Sequence, residues 1–274
     1  MNTNHQFKFI NSLYLFKNVI WALFIKEIKV RFSNKGYLTY FWILGEPLFQ
    51  IGFFIILFAY IFARASRFGL PIQLVVLTGI VPFQMFSGLI SKSMGAVDAN
   101  QALLAYKQIS IFSTIITRTC VEAFLTVVTF IFIYSLYCSF GLYFPIHNIL
   151  LFVTSFILLI IFTVGISFMT CVLGFFFPDS KVVIQIIIRF AYFFSGTIFD
   201  ISILPHEYQK ILLYNPVLQA ITLIRRSFVQ YDLPSYGSVS LSYLFMSSMI
   251  TLFLGLLVYF TVRDEFIKQA RART

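Results

Sequence analysis

The stretch "NILLFVTSFILLIIFTVGISFMTCVLGFFF" (148–177) contains no Asp, Glu, Lys or Arg. The hydrocarbon core of a bilayer is about 30 Å thick, and a helix needs about 20 residues to cross it. A helix can also satisfy all of its own backbone hydrogen bonds in lipid. The stretch therefore predicts a transmembrane helix in an integral membrane protein.

Five further apolar segments of similar length accompany it. They cover residues 38–62, 70–91, 109–139, 182–200 and 241–262. Hydrophobic residues make up 59% of the chain and charged residues only 11%, against about a quarter charged residues in soluble proteins. We predict an all-α integral membrane protein with six transmembrane helices in one domain, 38–262. An N-terminal segment, 1–37, and a tail, 263–274, flank that domain.

The basic residues of the chain indicate an orientation. The formal net charge is +10, and fourteen of the 20 Lys and Arg lie on one side of the predicted membrane, against five on the other. Cytoplasmic loops carry the excess of Lys and Arg in membrane proteins. Both termini are therefore predicted to be cytoplasmic, which agrees with an even number of crossings. Nucleic-acid binding is not predicted, because these charges lie on loops and ends.

Three connecting or terminal segments predict shorter helices. Residues 13–32 repeat apolar residues at helical spacing between basic ones, which is typical of an amphipathic helix on the inner leaflet, or of a soluble helix docked on the bundle. Residues 94–106 favour a short cytoplasmic helix that passes force to a partner, or an inert connector. Outside, residues 204–214 and 216–229 predict two helices that dip into the outer interface, with Asn215 as an N-cap.

A few charges fall within or next to the predicted spans. Glu46 in span one and Arg189 in span five are the notable ones, because intramembrane charges are costly and are commonly functional. For Glu46 a structural hydrogen bond or an interfacial position is the alternative. Arg118 and Glu122 are four residues apart, which predicts a structural ion pair on one face of a helix.

Motifs for catalysis are missing from the sequence. No GxxxxGK[ST] segment is present, so nucleotide hydrolysis by that route is not predicted. The three histidines are far apart, and no Cys/His spacing indicates a metal site, so we expect no catalytic residue and no metal. Acid-rich broken spans and internal repeats, which gradient-driven transporters show, are not evident either. A non-enzymatic permease subunit driven by a partner fits best.

Four blocks of the sequence resemble a known family in the same order. They are "ALFIKEIKVRF" (22–32), "YFWILGEPLFQ" (40–50), "TGIVPFQMFSGLI" (78–90) and "FFSGTIFDISILPHEYQKILLYNPVLQAITLIRRSF" (193–228). These blocks resemble the membrane subunits of ABC-2 type exporters, and among them the permeases that export capsular polysaccharide in Gram-negative bacteria.

The resemblance implies a working assembly in the bacterial inner membrane. It implies a homodimer of this chain bound to two copies of a separate ATP-binding ABC subunit, which holds the ATP and Mg, while this chain binds no cofactor. The polysaccharide, with a lipid terminus, would pass between the two permease copies. A periplasmic adaptor and an outer-membrane polysaccharide exporter would follow.

Two sets of site residues follow from this reading. The candidates for ATPase coupling are Lys26, Glu27, Lys29, Arg31, Asp98, Asn100 and Lys107. The candidates for lining the substrate conduit are Tyr40, Trp42, Glu46, Arg189, Tyr192 and Arg225. Aromatic rings can stack on sugar faces, and charges suit anionic polymers. Two alternatives stay open: a membrane-embedded enzyme of lipid-linked glycan synthesis, and an ABC-2 exporter of a small drug or lipid.

Overall fold

The computed structural model describes most of the chain. The residues described are 3–33, 45, 48–53, 55–56, 70–100, 109–198, 205–229 and 239–272. The helices are α1 (Thr3–Ser33), α2 (Ile72–Met94), α3 (Ala96–Ala99), α4 (Ile111–Ser139), α5 (Ile149–Phe176), α6 (Ser180–Phe194), α7 (His206–Leu212), α8 (Pro216–Arg226) and α9 (Leu241–Ala272). Residues 48–53 are helical too, and no strand occurs among the described residues. The predicted all-α class is confirmed.

Four of these helices, α2, α4, α5 and α9, are long and apolar enough to cross a membrane. They correspond to predicted spans two, three, four and six. Predicted span five is observed as α6, which has 15 residues, and ends at a turn where Gly196 has a φ of 65°. Most of predicted span one lies outside the described residues. The count of six spans therefore stays a prediction.

The closest helix packing joins α5 and α9. These two helices contact each other along much of their length. A Cβ at Gly165 would overlap the backbone of Thr251, and a Cβ at Gly255 would overlap the backbone of Gly165. In lipid, small residues let helix backbones approach and gain van der Waals contact, since the hydrophobic effect does not drive this association. The two glycines therefore set the spacing of this pair.

Helix α2 is the central span, with contacts to α4, α5, α6 and α8. Most of its side chains are buried, and Phe86 stacks on Phe162 of α5 at 6.3 Å between ring centroids. Pro82 lies in the middle of α2 and removes one backbone hydrogen bond there. Gly79 admits the backbone of Thr197, which follows α6.

Helix α8 is surrounded by protein. Every residue from Val217 to Arg225 is buried, because α8 lies against α2, α5 and α9. The Asn215 side chain accepts a hydrogen bond from the Val217 amide, and Pro216 occupies the first turn, which confirms the predicted N-cap. We call this end of the bundle, where α8 begins, the Asn215 end. The opposite end, where α2 ends, is the Lys92 end.

Candidate coupling site and polar passage

An ionic network joins α1, α2 and α4 at the Lys92 end. Lys92 Nζ lies 2.5 Å from Glu122 Oε1, and Arg118 Nε lies 3.5 Å from Glu27 Oε1 of α1. The Arg118 guanidinium also donates to the main-chain carbonyl of Lys92. The side chains of Arg118 and Glu122 are only 7% and 9% exposed. The network therefore links α1 to α4 and α4 to α2, and Arg118 and Glu122 are its largely desolvated members.

The position of this network along the length of the bundle follows from the position of Lys92 on α2. Lys92 comes 20 residues after Ile72, which corresponds to about 30 Å of helix at 1.5 Å per residue. That length equals the thickness of a hydrocarbon core. A span that enters the hydrocarbon core at Ile72 would leave it near Lys92, so these charges suit a membrane boundary, where pairing them is less costly than at the membrane centre.

The sequence predicted an ion pair between Arg118 and Glu122 on one helix, and that pair stays a prediction. The contacts given above run to α1 and α2, so these side chains hold neighbouring helices together. Spacing along one helix predicts only neighbours on the same helix, and the partners Glu27 and Lys92 are distant in sequence.

A second group of contacts holds the short helix α3. Lys26 Nζ of α1 donates to Asn100 Oδ1 at 3.4 Å, and Asn100 Nδ2 donates to the Ala96 carbonyl at 3.0 Å. On the other side, Lys181 Nζ of α6 lies 3.0 Å from Asp98 Oδ2. Side chains of α1 and α6 therefore both reach α3.

These contacts unite four of the predicted coupling residues. Lys26, Glu27, Asp98 and Asn100 contact α3 or the ends of the spans, whereas Lys29 lies on the exposed face of α1. Arg31 belongs to α1, but its side chain is outside the described residues. Lys107 is also outside them, so of the predicted helix 94–106 only α3 and the end of α2 are observed.

Helix α1 combines features of both predictions made for it. It docks on α4, where Phe16 packs on Phe112 and Phe24 packs on Phe124. Its other face leaves large apolar side chains bare, with Tyr14 65% and Trp21 63% exposed. A helix with one face on protein and one apolar face uncovered suits a membrane interface.

A chain of side-chain hydrogen bonds lies nearer the middle of the bundle. Gln84 Nε2 of α2 donates to Gln50 Oε1 at 2.6 Å, and Gln50 Nε2 donates to Tyr192 Oη of α6 at 3.0 Å. The Tyr192 ring packs edge-on against Phe83, 5.2 Å between centroids. Tyr192, a predicted conduit residue, is therefore part of a polar connection between three helical segments.

Sequence reasoning missed a polar stripe on α2. Its members are Gln84, Ser87, Gly88, Ser91 and Lys92. Positions i, i+3, i+4, i+7 and i+8 lie on one face of a helix, and all five are at least partly exposed, while most of α2 is buried. The signal was present in the sequence as helical spacing within an apolar run. The stripe leads from the Gln84–Gln50 contact to the ionic network.

The other conduit candidates occupy different environments. Arg189 lies on the exposed face of α6, and within the described part of the chain no hydrogen bond or ion pair reaches it. Arg225 is fully buried at the Asn215 end. It donates to Thr78 Oγ1 at 3.2 Å, to the Val75 carbonyl at 3.1 Å and to the Gly196 carbonyl at 2.9 Å. Arg225 thus fastens α8 to α2 and to the turn after α6.

Three conduit candidates, Tyr40, Trp42 and Glu46, fall outside the described residues. The structure places none of them.

Comparison with known proteins gives several full-length relatives. The polysialic acid transport protein KpsM of Escherichia coli is 35% identical over 251 residues, which cover 91% of this chain and 95% of that protein. The capsule polysaccharide export inner-membrane protein CtrC of Neisseria meningitidis serogroup A is 24% identical over 94% of this chain and 96% of its own length. The protein BexB of Haemophilus influenzae, which bears the same description, is 25% identical over 91% and 93%.

No family model matches the chain. The 35% identity to KpsM over nearly the whole length of both proteins is sufficient to assign the chain to a family. This chain belongs to the ABC-2 type family of capsule polysaccharide export inner-membrane permeases.

Proposed function

We propose that this chain is the membrane-spanning permease subunit of an ABC exporter that moves capsular polysaccharide, with a lipid terminus, across the bacterial inner membrane. The main structural support is the Lys92 end, where the ionic network ties α1 to the spans and the contacts of Lys26 and Lys181 hold α3. A chain without a phosphate-binding loop needs such a surface to receive work from a separate ATPase. ATP and Mg belong to that partner in this scheme.

In this proposal the Lys92 end faces the cytoplasm. Lys26, Lys92, Arg118 and Lys181 meet there, as the positive-inside rule expects. The end of α9 lies on the same side, because Tyr259 packs near Phe112 at the start of α4 and α9 continues to Ala272. Both termini would then be cytoplasmic.

We assign the coupling surface to α3 and the adjoining part of α1. Asp98 has a 54% exposed side chain and could pair with a basic group on the ATPase without leaving the surface. Movement of α3 would reach α2 through the backbone at Gly95 and reach α1 through the Lys26–Asn100 bond. ATP can shift the permease only if the ATPase contacts two conformations with different affinity.

The conduit in this proposal lies between two copies of the chain. The polar stripe of α2, with Tyr192 and Arg189 of α6, would face the polymer, and Tyr40, Trp42 and Glu46 stay candidates for the same surface. Amide side chains such as Gln84 can exchange their hydrogen bond to Gln50 for one to a sugar hydroxyl. Arg225 would fix the outer end of the passage. A periplasmic adaptor and an outer-membrane exporter would receive the polymer.

The decisive test is reconstitution with the ATP-binding subunit. We expect the two proteins to purify together and to hydrolyse ATP faster when polysaccharide is supplied to proteoliposomes. Asp98→Lys should weaken that stimulation, and adding Lys181→Asp should restore part of it. Asp179→Lys is the control, because Asp179 is an exposed acid just before α6. Transport by the purified permease alone, driven by an ion gradient, would contradict the proposal.

A cellular experiment separates polymer from small cargo. A deletion strain should lose surface polysaccharide and accumulate it inside the cell. Normal surface polysaccharide in that strain would argue against a polymer as the substrate.

A further inference from the structure

A cavity of about 230 Å³ opens between α4 and α5. None of the residues of the ionic network or of the polar stripe lines it. Its lining residues are Pro82, Thr126, Val127, Phe130, Ile131, Tyr134, Ile146, Phe152, Phe156 and Ile224. The α4 members from 126 to 134 share one helix face and extend over about 12 Å. The cavity is therefore an elongated groove along a spanning helix.

The groove is open on its outer side. Val127 and Ile131 line it and are 43% and 61% exposed. Its floor is deep in the protein, where Pro82 of α2 and Ile224 of α8 are buried. The rings of Phe152 and Phe130 contact each other at the wall of the groove, with 5.3 Å between their centroids. Although α4 and α5 are consecutive helices, this space keeps them partly apart.

Water is a poor occupant. The lining has almost no polar surface, and its two hydroxyls are already used: Thr126 Oγ1 donates to the Glu122 carbonyl at 2.8 Å, and Tyr134 Oη donates to the Phe144 carbonyl at 2.7 Å. A buried water needs two to four polar partners. The groove therefore selects an apolar ligand.

The depth of the groove identifies that ligand. On α4 it begins four residues beyond Glu122, which is in the network at one membrane boundary, and it ends five residues before Ser139. The whole opening thus faces hydrocarbon, where the surrounding material is lipid tails. We propose that the groove binds one acyl chain of a membrane phospholipid, with the headgroup at the Asn215 end beside residues 146–148. The lipid acts as a wedge between α4 and α5.

A photolabel tests this directly on the purified full-length protein in nanodiscs. The probe is phosphatidylethanolamine with a diazirine midway along one acyl chain. Mass spectrometry should find the label on peptides that contain residues 126–134 and 152–156. Val127→Phe fills the groove and should remove this labelling. Val128→Phe, the adjacent exposed position outside the groove, should preserve it.

A second measurement covers the case in which a variant is perturbed in folding. Added phospholipid should raise the melting temperature of the delipidated wild type and of Val128→Phe, and should raise that of Val127→Phe much less. Equal labelling of all three proteins, or labelling spread evenly over the exposed faces of α4 and α5, would overturn the proposal. So would efficient disulfide formation between copies carrying Val127→Cys, with the natural cysteines replaced, because a second copy would then cover the groove. None of these readouts depends on export.

Discussion

Replacing Glu27 by Gln should weaken the docking of helix α1 on the spans. The substitution keeps the shape of the side chain and removes the charge that faces Arg118. At 3.5 Å between Nε and Oε1, two unit charges attract by about 5 kcal/mol at an effective dielectric of 20. Desolvation offsets much of this gain.

The net effect can be bracketed from burial. Exposed pairs contribute about 0–1 kcal/mol, and breaking a fully buried pair costs about 3–5 kcal/mol. Arg118 is 7% exposed and Glu27 is 22% exposed, so solvent screens the pair in part. We expect a loss of about 1–2 kcal/mol, which shifts the docking equilibrium of α1 about 5- to 30-fold.

Hydrogen exchange on the purified protein measures this shift. Amides in residues 14–30 should exchange faster in Glu27→Gln by the factor given above, while those of α5 should not change, because local opening follows local stability. Lys29→Gln is the matched control, since Lys29 is on the exposed face of the same helix. The double charge swap Glu27→Arg with Arg118→Glu should recover part of the protection. Equal exchange in the Glu27→Gln and Lys29→Gln variants would refute the reasoning.

Other substitutions separate packing from transport. Gly165→Ala should lower the melting temperature, because its Cβ would meet the backbone of Thr251 and overpacking costs about 1–3 kcal/mol; Gly95→Ala, with open space around it, should not. Arg225→Met should destabilise the fold more strongly, since it removes three buried hydrogen bonds from a charged donor, which contribute about 1.5–3 kcal/mol each, and an unchanged thermal unfolding curve would contradict this. Arg189→Ala should leave folding and dimer assembly intact but abolish surface polysaccharide; normal export would remove Arg189 from the conduit.

The sequence predicted the long helices well where apolar runs are flanked by helix caps. The predicted spans 109–139 and 148–177 differ from α4 and α5 by at most two residues at either end. Both helices begin at a capping side chain: Ser110 accepts from the Ser113 amide and Asn148 accepts from the Leu151 amide. Such caps fix the first turn. The hydropathy change and the capping chemistry coincide there.

Hydropathy and backbone conformation separate at the end of the last span. That span was predicted over residues 241–262, and helix α9 continues beyond it to Ala272. Hydropathy marks where a helix leaves the lipid, whereas a helix ends only where its backbone hydrogen bonds end. A polar extension of a span is therefore invisible to a pattern that reads apolarity alone.

The polar stripe of α2 shows which polar residues within a span carry information about tertiary contacts. Ser87 and Ser91 donate to the carbonyls of Gln84 and Ser87 in their own helix, so lipid or protein can surround them at little cost. An amide offers two donors and an acceptor and cannot satisfy all of them on its own helix. Gln84 accordingly reaches Gln50, and Gln50 reaches Tyr192. An intramembrane glutamine therefore predicts a contact between helices, or with polar cargo, more strongly than a serine at the same depth.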